Sequence, residues 1–191
     1  MRSAAKAVNF GIVYGISEFG LANQLGISRI RAGEYIKKYL DRCVGVRNYM
    51  KASVEHGRER GYAVTVTGRR RDLPELKSGN RNTRAFGERV AMNMPVQGSA
   101  ADIIKLAMVR VHSSLASGGF KAKLVLQIHD ELIIDCPGEE AERVKTLLHD
   151  CMMGVPAAGE DPRTTEIGRL AALSVPLVAD VAEGHSWYDT K

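Results

Sequence analysis

Residues 126–135 read LQIHDELIID, and this stretch sets adjacent carboxylates, Asp130 and Glu131, where two apolar runs meet. The runs on either side, 123–128 and 131–136, have strand composition, which places His129-Asp130 at their junction. A carboxylate pair withdrawn from water is unfavourable unless a cation or metal compensates it. Either the pair sits on an exposed turn, or something positive is meant to arrive there.

Working outward, Glu139–Met153 has the period of a helix. Residues 154–168, GVPAAGEDPRTTEIG, carry Gly, Pro and acids without period and read as a loop, and Val175–Val181 reads as a last strand. Upstream of the Gly118-Gly119 break, residues 97–117 form a long amphipathic helix, and Pro95 is expected to end the basic helix before it, over 80–93. YAVTVTGRRRDL, residues 62–73, is a hairpin candidate around Gly68. Four helices are expected before it: 2–14, 17–25, one capped by Ser28, and 46–60. The fold class is α+β, with helices dominating the first half and an antiparallel hairpin with covering helices the second.

At 191 residues the chain can bury a proper core. No apolar run approaches the roughly 20 residues of a membrane helix, so no membrane partner is expected. Lys and Arg outnumber Asp and Glu by 27 to 22, a mild lean toward polyanionic partners. The three cysteines lack CxxC spacing, which argues for a reducing compartment and against a disulfide framework or a zinc site. The opening MRSAAKAVNF has transit-peptide composition, but it has a better reading.

In RSAAKAVNFGIVYG, residues 2–15, steps of four place Arg2, Lys6, Phe10 and Tyr14 on one slowly turning stripe. Two cations lead and two aromatics follow, over roughly 18 Å of helix, with the positive end of the helix dipole beside the cations. A nucleoside triphosphate has the matching polarity. In the competing reading, the cations are solvated and the rings pack inward. Ala5, Val8 and Ile12 already supply an apolar face elsewhere on this helix.

RSAAKAVNFGIVYG resembles motif B of family A DNA polymerases, and LQIHDELIID resembles their motif C. Between them ERVAMNMPVQGSAADIIK, residues 88–105, is similar to a palm helix of the same family, so the likeness covers essentially the whole chain in family order. It implies a helical fingers subdomain over 1–83 and the C-terminal part of an antiparallel palm over 84–191. It also implies DNA-templated transfer of a dNTP to a primer 3′-OH, in replication or repair.

By that resemblance Arg2 and Lys6 hold the triphosphate, with Lys6 able to protonate the leaving pyrophosphate. Phe10 packs by sugar and base and disfavours 2′,3′-dideoxynucleotides. Tyr14 stacks at the templating position, and Gly15 permits the helix to bend. Asp130 binds two Mg²⁺ ions with support from Glu131, and His129 contacts the primer end. Arg89, Asn93 and Gln97 read primer–template DNA in the minor groove, where the acceptors shared by the base pairs test shape more than sequence. Arg84 and the Arg69-Arg70-Arg71 turn suit phosphate contacts.

The resemblance also defines a shortfall. The family's second metal-binding aspartate lies on a motif A strand, and neither that strand, the thumb nor an exonuclease is in this sequence. These residues alone are therefore expected not to polymerise. The alternatives are a non-catalytic nucleic-acid-binding fragment and one subunit of a split polymerase completed by a separate chain that carries motif A and thumb. The implied setting is cytoplasmic and nucleoid-associated, or phage-encoded in a bacterial host.

Overall fold

The computed structural model describes residues 2–154 and 175–190, apart from the side chains of residues 2–4 and 7. Contacts divide the chain into two compact units, Met1–Ser99 and Ala100–Lys191. α5, which the 83/84 division expected from the sequence assigns to the C-terminal part, packs within the first unit.

The first unit contains α1 (Arg2–Val13), α2 (Glu18–Leu25), α3 (Arg29–Arg42), α4 (Val44–Arg60), the β1–β2 hairpin (Tyr62–Val64, Arg70–Asp72) and α5 (Arg81–Asn93). Polar side chains set the helix starts. Ser17 Oγ accepts from the Gly20 N–H at 3.1 Å, Ser28 Oγ from Arg31 at 3.3 Å, and Asn80 Oδ1 from Asn82 and Thr83 at 2.8 and 3.2 Å. Each such cap is worth about 1 kcal/mol. Two small cores hold the unit. Leu21, Ala22 and Ala32 pack with Val8, Ile16, Tyr35 and Ile36, joining α1, α2 and α3. Ala63, Leu73, Leu76 and Ala91 join the hairpin, α4 and α5.

α5 ends at Asn93, just before Pro95, as the sequence led us to expect, but the proline does not interrupt the chain's helical course. Residues Met94–Gly98 form a π-turn after α5, and α6 (Ser99–Ser117) follows with helical backbone at the junction. A proline in an α-helix lacks a donor and crowds the carbonyl four residues back, and the wider π-turn is one of the ways a helix absorbs such a residue.

The second unit is an antiparallel hairpin covered on one face. Strand β3 (Lys123–Ile128) pairs with β4 (Glu131–Asp135), with a bulge at Val125 between Leu124 and Leu126. Ala107, Val111 and Leu115 of α6 pack with Leu132 and with Val144 and Cys151 of α7 (Ala141–Met153) in one core. Truncating a buried leucine such as Leu132 to alanine is expected to cost roughly 2–5 kcal/mol. All three cysteines are free thiols, and burial pushes those of Cys136 and Cys151 up.

The strand expected over 175–181 is not formed. Those residues run without a ladder partner among the described residues, and Val175 and Val178 are exposed. Composition can favour extended backbone, but a strand also needs a neighbour. A weak tie remains, from the Ala179 N–H to Met153 Sδ at 3.2 Å. The loop expected over 154–168 lies outside the described residues from 155 onward.

Candidate functional site

Helix α1 turns Ile12 fully inward and half-buries Val8, while its opposite stripe stays out of the core. Phe10 and Tyr14 keep 50% and 42% of their surface exposed, which excludes the reading in which the rings fill the interior. The two rings stack with centroids 6.3 Å apart and an interplanar angle of 26°. Lys6 Nζ stands 5.7 Å from the Phe10 centroid, within cation–π range. Cation and aromatics therefore form one continuous ridge. Arg2 opens α1 on the same helical period, and its side chain is outside the described set.

Two polar ties hold the ridge and its surroundings. The Tyr39 hydroxyl on α3 donates to Asn9 Oδ1 at 2.7 Å, and burial, then neighbouring Cys43, raises its pKa, so it stays a protonated donor. The Tyr49 hydroxyl on α4 donates to the Met92 carbonyl at 3.0 Å, fixing the end of α5. At the C-terminal end of α1, Gly15 takes φ +77°. A β-carbon there would lie 2.6 Å from Met92 Cε and 3.2 Å from Arg89 Cγ, so glycine serves both the turn and the approach to α5.

That approach creates a hollow of about 500 Å³ whose lining includes Tyr14, Arg71, Phe86, Arg89, Asn93 and Gln97. Its size falls within the usual range for ligand sites. A smaller hollow of about 170 Å³ lies between α1, α4 and α5; Phe10 lines it, and it shares Tyr14, Asn93 and Gln97 with the larger one. Residues 86, 89, 93 and 97 step by three or four and so share a helix face. The first unit thus brings together five of the residues singled out from the sequence, Phe10, Tyr14, Arg89, Asn93 and Gln97. Arg84 is used differently: its guanidinium donates to the Ser78 carbonyl at 3.2 Å. In the basic hairpin, Arg70 stacks 3.7 Å over the Tyr62 ring, and Arg71 Nη2 stands 3.7 Å from Glu75 Oε1.

Sequence reasoning missed Phe86, half exposed in the larger hollow, and Tyr49 and Met50 in the smaller one. For Phe86 a signal existed, since it lies three residues before Arg89. Tyr49 and Met50 come from α4, and nothing local in their sequence points at α1.

In the second unit, His129 and Asp130 form the two-residue turn between β3 and β4, and Ile128 pairs with Glu131 at its base. His129, Asp130 and Glu131 are all exposed. His129 holds φ 51°, a left-handed value that costs a non-glycine residue roughly 1–2 kcal/mol. Gln127 Nε2 donates to the His129 carbonyl at 2.7 Å and braces the turn. The turn and the first residue of β4 present the carboxylates of Asp130 and Glu131, hard oxygen donors, to solvent. Among the described residues no three His, Cys, Asp or Glu side chains converge as a complete metal cage. The donor chemistry nonetheless suits Mg²⁺, which is commonly held by one or two carboxylates with substrate phosphates and water completing its shell.

Comparison with known proteins returns one family. The model of DNA polymerase family A matches residues 1–189. DNA polymerase I of Caldicellulosiruptor bescii is 47% identical over 191 residues, and that of Bacillus subtilis 49%, each match taking in all of this chain. The chain spans about a fifth of the length of these relatives, 21% and 20%. A solved structure, the POL domain of Pol1 from M. smegmatis in complex with DNA primer-template and dNTP, superimposes with a TM-score of 0.76 at 44% identity. That match covers 80% of this chain and 27% of the other.

Proposed function

The chain belongs to DNA polymerase family A, and from that membership we propose that it carries the nucleotide-binding and template-reading part of a DNA-directed DNA polymerase. The observation that supports this most is that Tyr14, stacked on the exposed Phe10, lines one hollow together with Arg89, Asn93 and Gln97. A flat base has an aromatic pair to stack on, and the adjoining amides and guanidinium can donate to minor-groove acceptors. The POL domain of Pol1 from M. smegmatis, of which this chain matches 27%, is in complex with DNA primer-template and dNTP.

In this reading residues 1–83 act as fingers and 84–191 as the C-terminal palm. Arg2 and Lys6 neutralise the triphosphate, and Lys6 can deliver a proton to the departing pyrophosphate. Phe10 packs against the sugar, Tyr14 holds the templating position before a nucleotide enters, and His129 meets the primer terminus. Asp130 and Glu131 would hold Mg²⁺. A metal held there would supply charge neutralisation for the phosphates. Two divalent ions need more anionic ligands than this turn offers, so the 191 residues by themselves bind DNA and nucleotide without sustained synthesis.

Equilibrium binding tests the reading. Fluorescence anisotropy with a labelled primer–template duplex should show binding that weakens steeply with salt, as phosphate contacts require. Adding the dNTP complementary to the template should tighten it. A chain that fails to bind duplex at low salt, or responds equally to all four dNTPs, contradicts the assignment.

A further inference from the structure

One side chain outside the residues assigned above joins two parts of the first unit. Ser99 follows the π-turn that carries Gln97. Its Oγ accepts the Val66 N–H at 2.8 Å and donates to the Pro95 carbonyl four residues back. A hydroxyl has one donor and two lone pairs, so this arrangement uses its donor and one acceptor position. Back-bonding of serine to the carbonyl four residues earlier bends a helix, and here it coincides with the π-turn.

Val66 belongs to the tight turn between β1 and β2. That turn is organised by Thr65, a polar residue only 5% exposed. Thr65 N–H donates to the Arg69 carbonyl at 3.0 Å, and the Arg69 and Gly68 N–H groups return to Thr65 Oγ1 and its carbonyl at 3.0 Å each. The π-turn presses on it directly. A β-carbon on Gly98 would lie 2.8 Å from Thr65 Cγ2 and 2.7 Å from Met94 Sδ. The hairpin that bears Arg69, Arg70 and Arg71 is therefore docked at its turn, by shape at Gly98 and by hydrogen bond at Ser99.

We propose that Ser99 is a positioning residue that clips the basic β1–β2 turn to the π-turn, so that the groups gripping phosphate and the amide of Gln97 reading the base pair move as one. This rests on the template-reading role given above to Gln97 and its neighbours. Its consequence is coupling: register imposed on the backbone by the arginines is transmitted to the minor-groove contact through the Val66–Ser99–Pro95 link.

The test compares the whole chain with Ser99→Ala and Ser99→Thr by amide exchange and by binding to primer–templates ending in a matched or mismatched pair. Ser99→Ala should deprotect the Val66 amide and lower the matched-over-mismatched affinity ratio about tenfold, the conversion of one lost positioned hydrogen bond. Ser99→Thr keeps the hydroxyl and should restore both. Ser99→Cys, a weak donor of similar size, replaces the alanine variant if that one does not fold. Unchanged Val66 protection, or loss of protection with the ratio intact, overturns the proposal. Wild-type chain that binds no duplex contradicts the functional reading instead, and the exchange arm still reports whether the clip exists.

Discussion

Phe10 and Tyr14 stack one helical turn apart, centroids 6.3 Å from each other, on the face of α1 opposite the buried Ile12. Since neither ring fills the core, removing one should leave the fold intact. Stacking of a base on an aromatic ring is worth about 1–3 kcal/mol. Phe10→Ala and Tyr14→Ala are each expected to melt close to wild type and to lose roughly five- to 150-fold in nucleotide or template affinity by the same conversion. Paired thermal melts and anisotropy titrations check this; a collapse in melting temperature would show the rings to be structural.

Gly15 presents the opposite balance. Substitution by alanine forces a β-carbon onto a residue at φ +77° and against Met92 and Arg89. The methionine tip can give way, so the backbone dominates, at roughly 1–2 kcal/mol. Gly15→Ala should therefore lower stability by that amount in urea titration and weaken duplex binding as well, because Arg89 shares the hollow with Tyr14.

His129 holds a left-handed conformation without glycine's freedom. Relief of roughly 1–2 kcal/mol is offset in part by the roughly 0.5–1 kcal/mol that glycine forfeits in chain entropy. His129→Gly is expected to leave the melting temperature equal or slightly higher and to weaken binding at the primer end. A clear drop in stability would mean that the imidazole supports the hairpin.

Glu140 accepts the N–H groups of Lys121 and Ala122 at 3.0 Å, and those bonds, the one from Lys121 first, hold its carboxyl below the ordinary range against a smaller opposing effect of burial. A depressed folded pKa contributes stability that is present above the unfolded value and lost as pH falls through the folded one. Acid titration of the second unit should therefore show a loss of stability setting in below about pH 4.5, the ordinary value. Glu140→Gln should flatten that acid limb. The Lys145–Glu183 ion pair contributes in the same direction at low pH, because Glu183 is likewise held low by its lysine partner.

Much of this was legible in the residues themselves. Ser17, Ser28 and Asn80 announce their helices by chemistry confined to one turn, and the Lys6–Phe10–Tyr14 period needs only the helix's own geometry. The LQIHDELIID junction likewise follows from two apolar runs and a polar pair between them. What escaped depends on distant partners. Pro95 breaks an ordinary helix, and only the π-turn, tied by Ser99 to Val66, accommodates it. Residues 175–181 have strand composition and no strand beside them. Phe86 and Tyr49 reach the hollows because α4 and α5 meet α1, a contact between segments more than 30 residues apart in sequence.

The central claim is that one face of the first unit, the α1 ridge with the α5 and π-turn surface, receives primer–template DNA and nucleotide. Backbone amide NMR of the 191-residue chain, titrated with a primer–template duplex and then the complementary dNTP, tests it most directly. Shifts should concentrate at residues 6–15, 69–71 and 86–99 on adding duplex, with a further change at Lys6 and Phe10 on adding nucleotide. Shifts confined to other surfaces, with these amides unmoved at saturating duplex, would contradict the account.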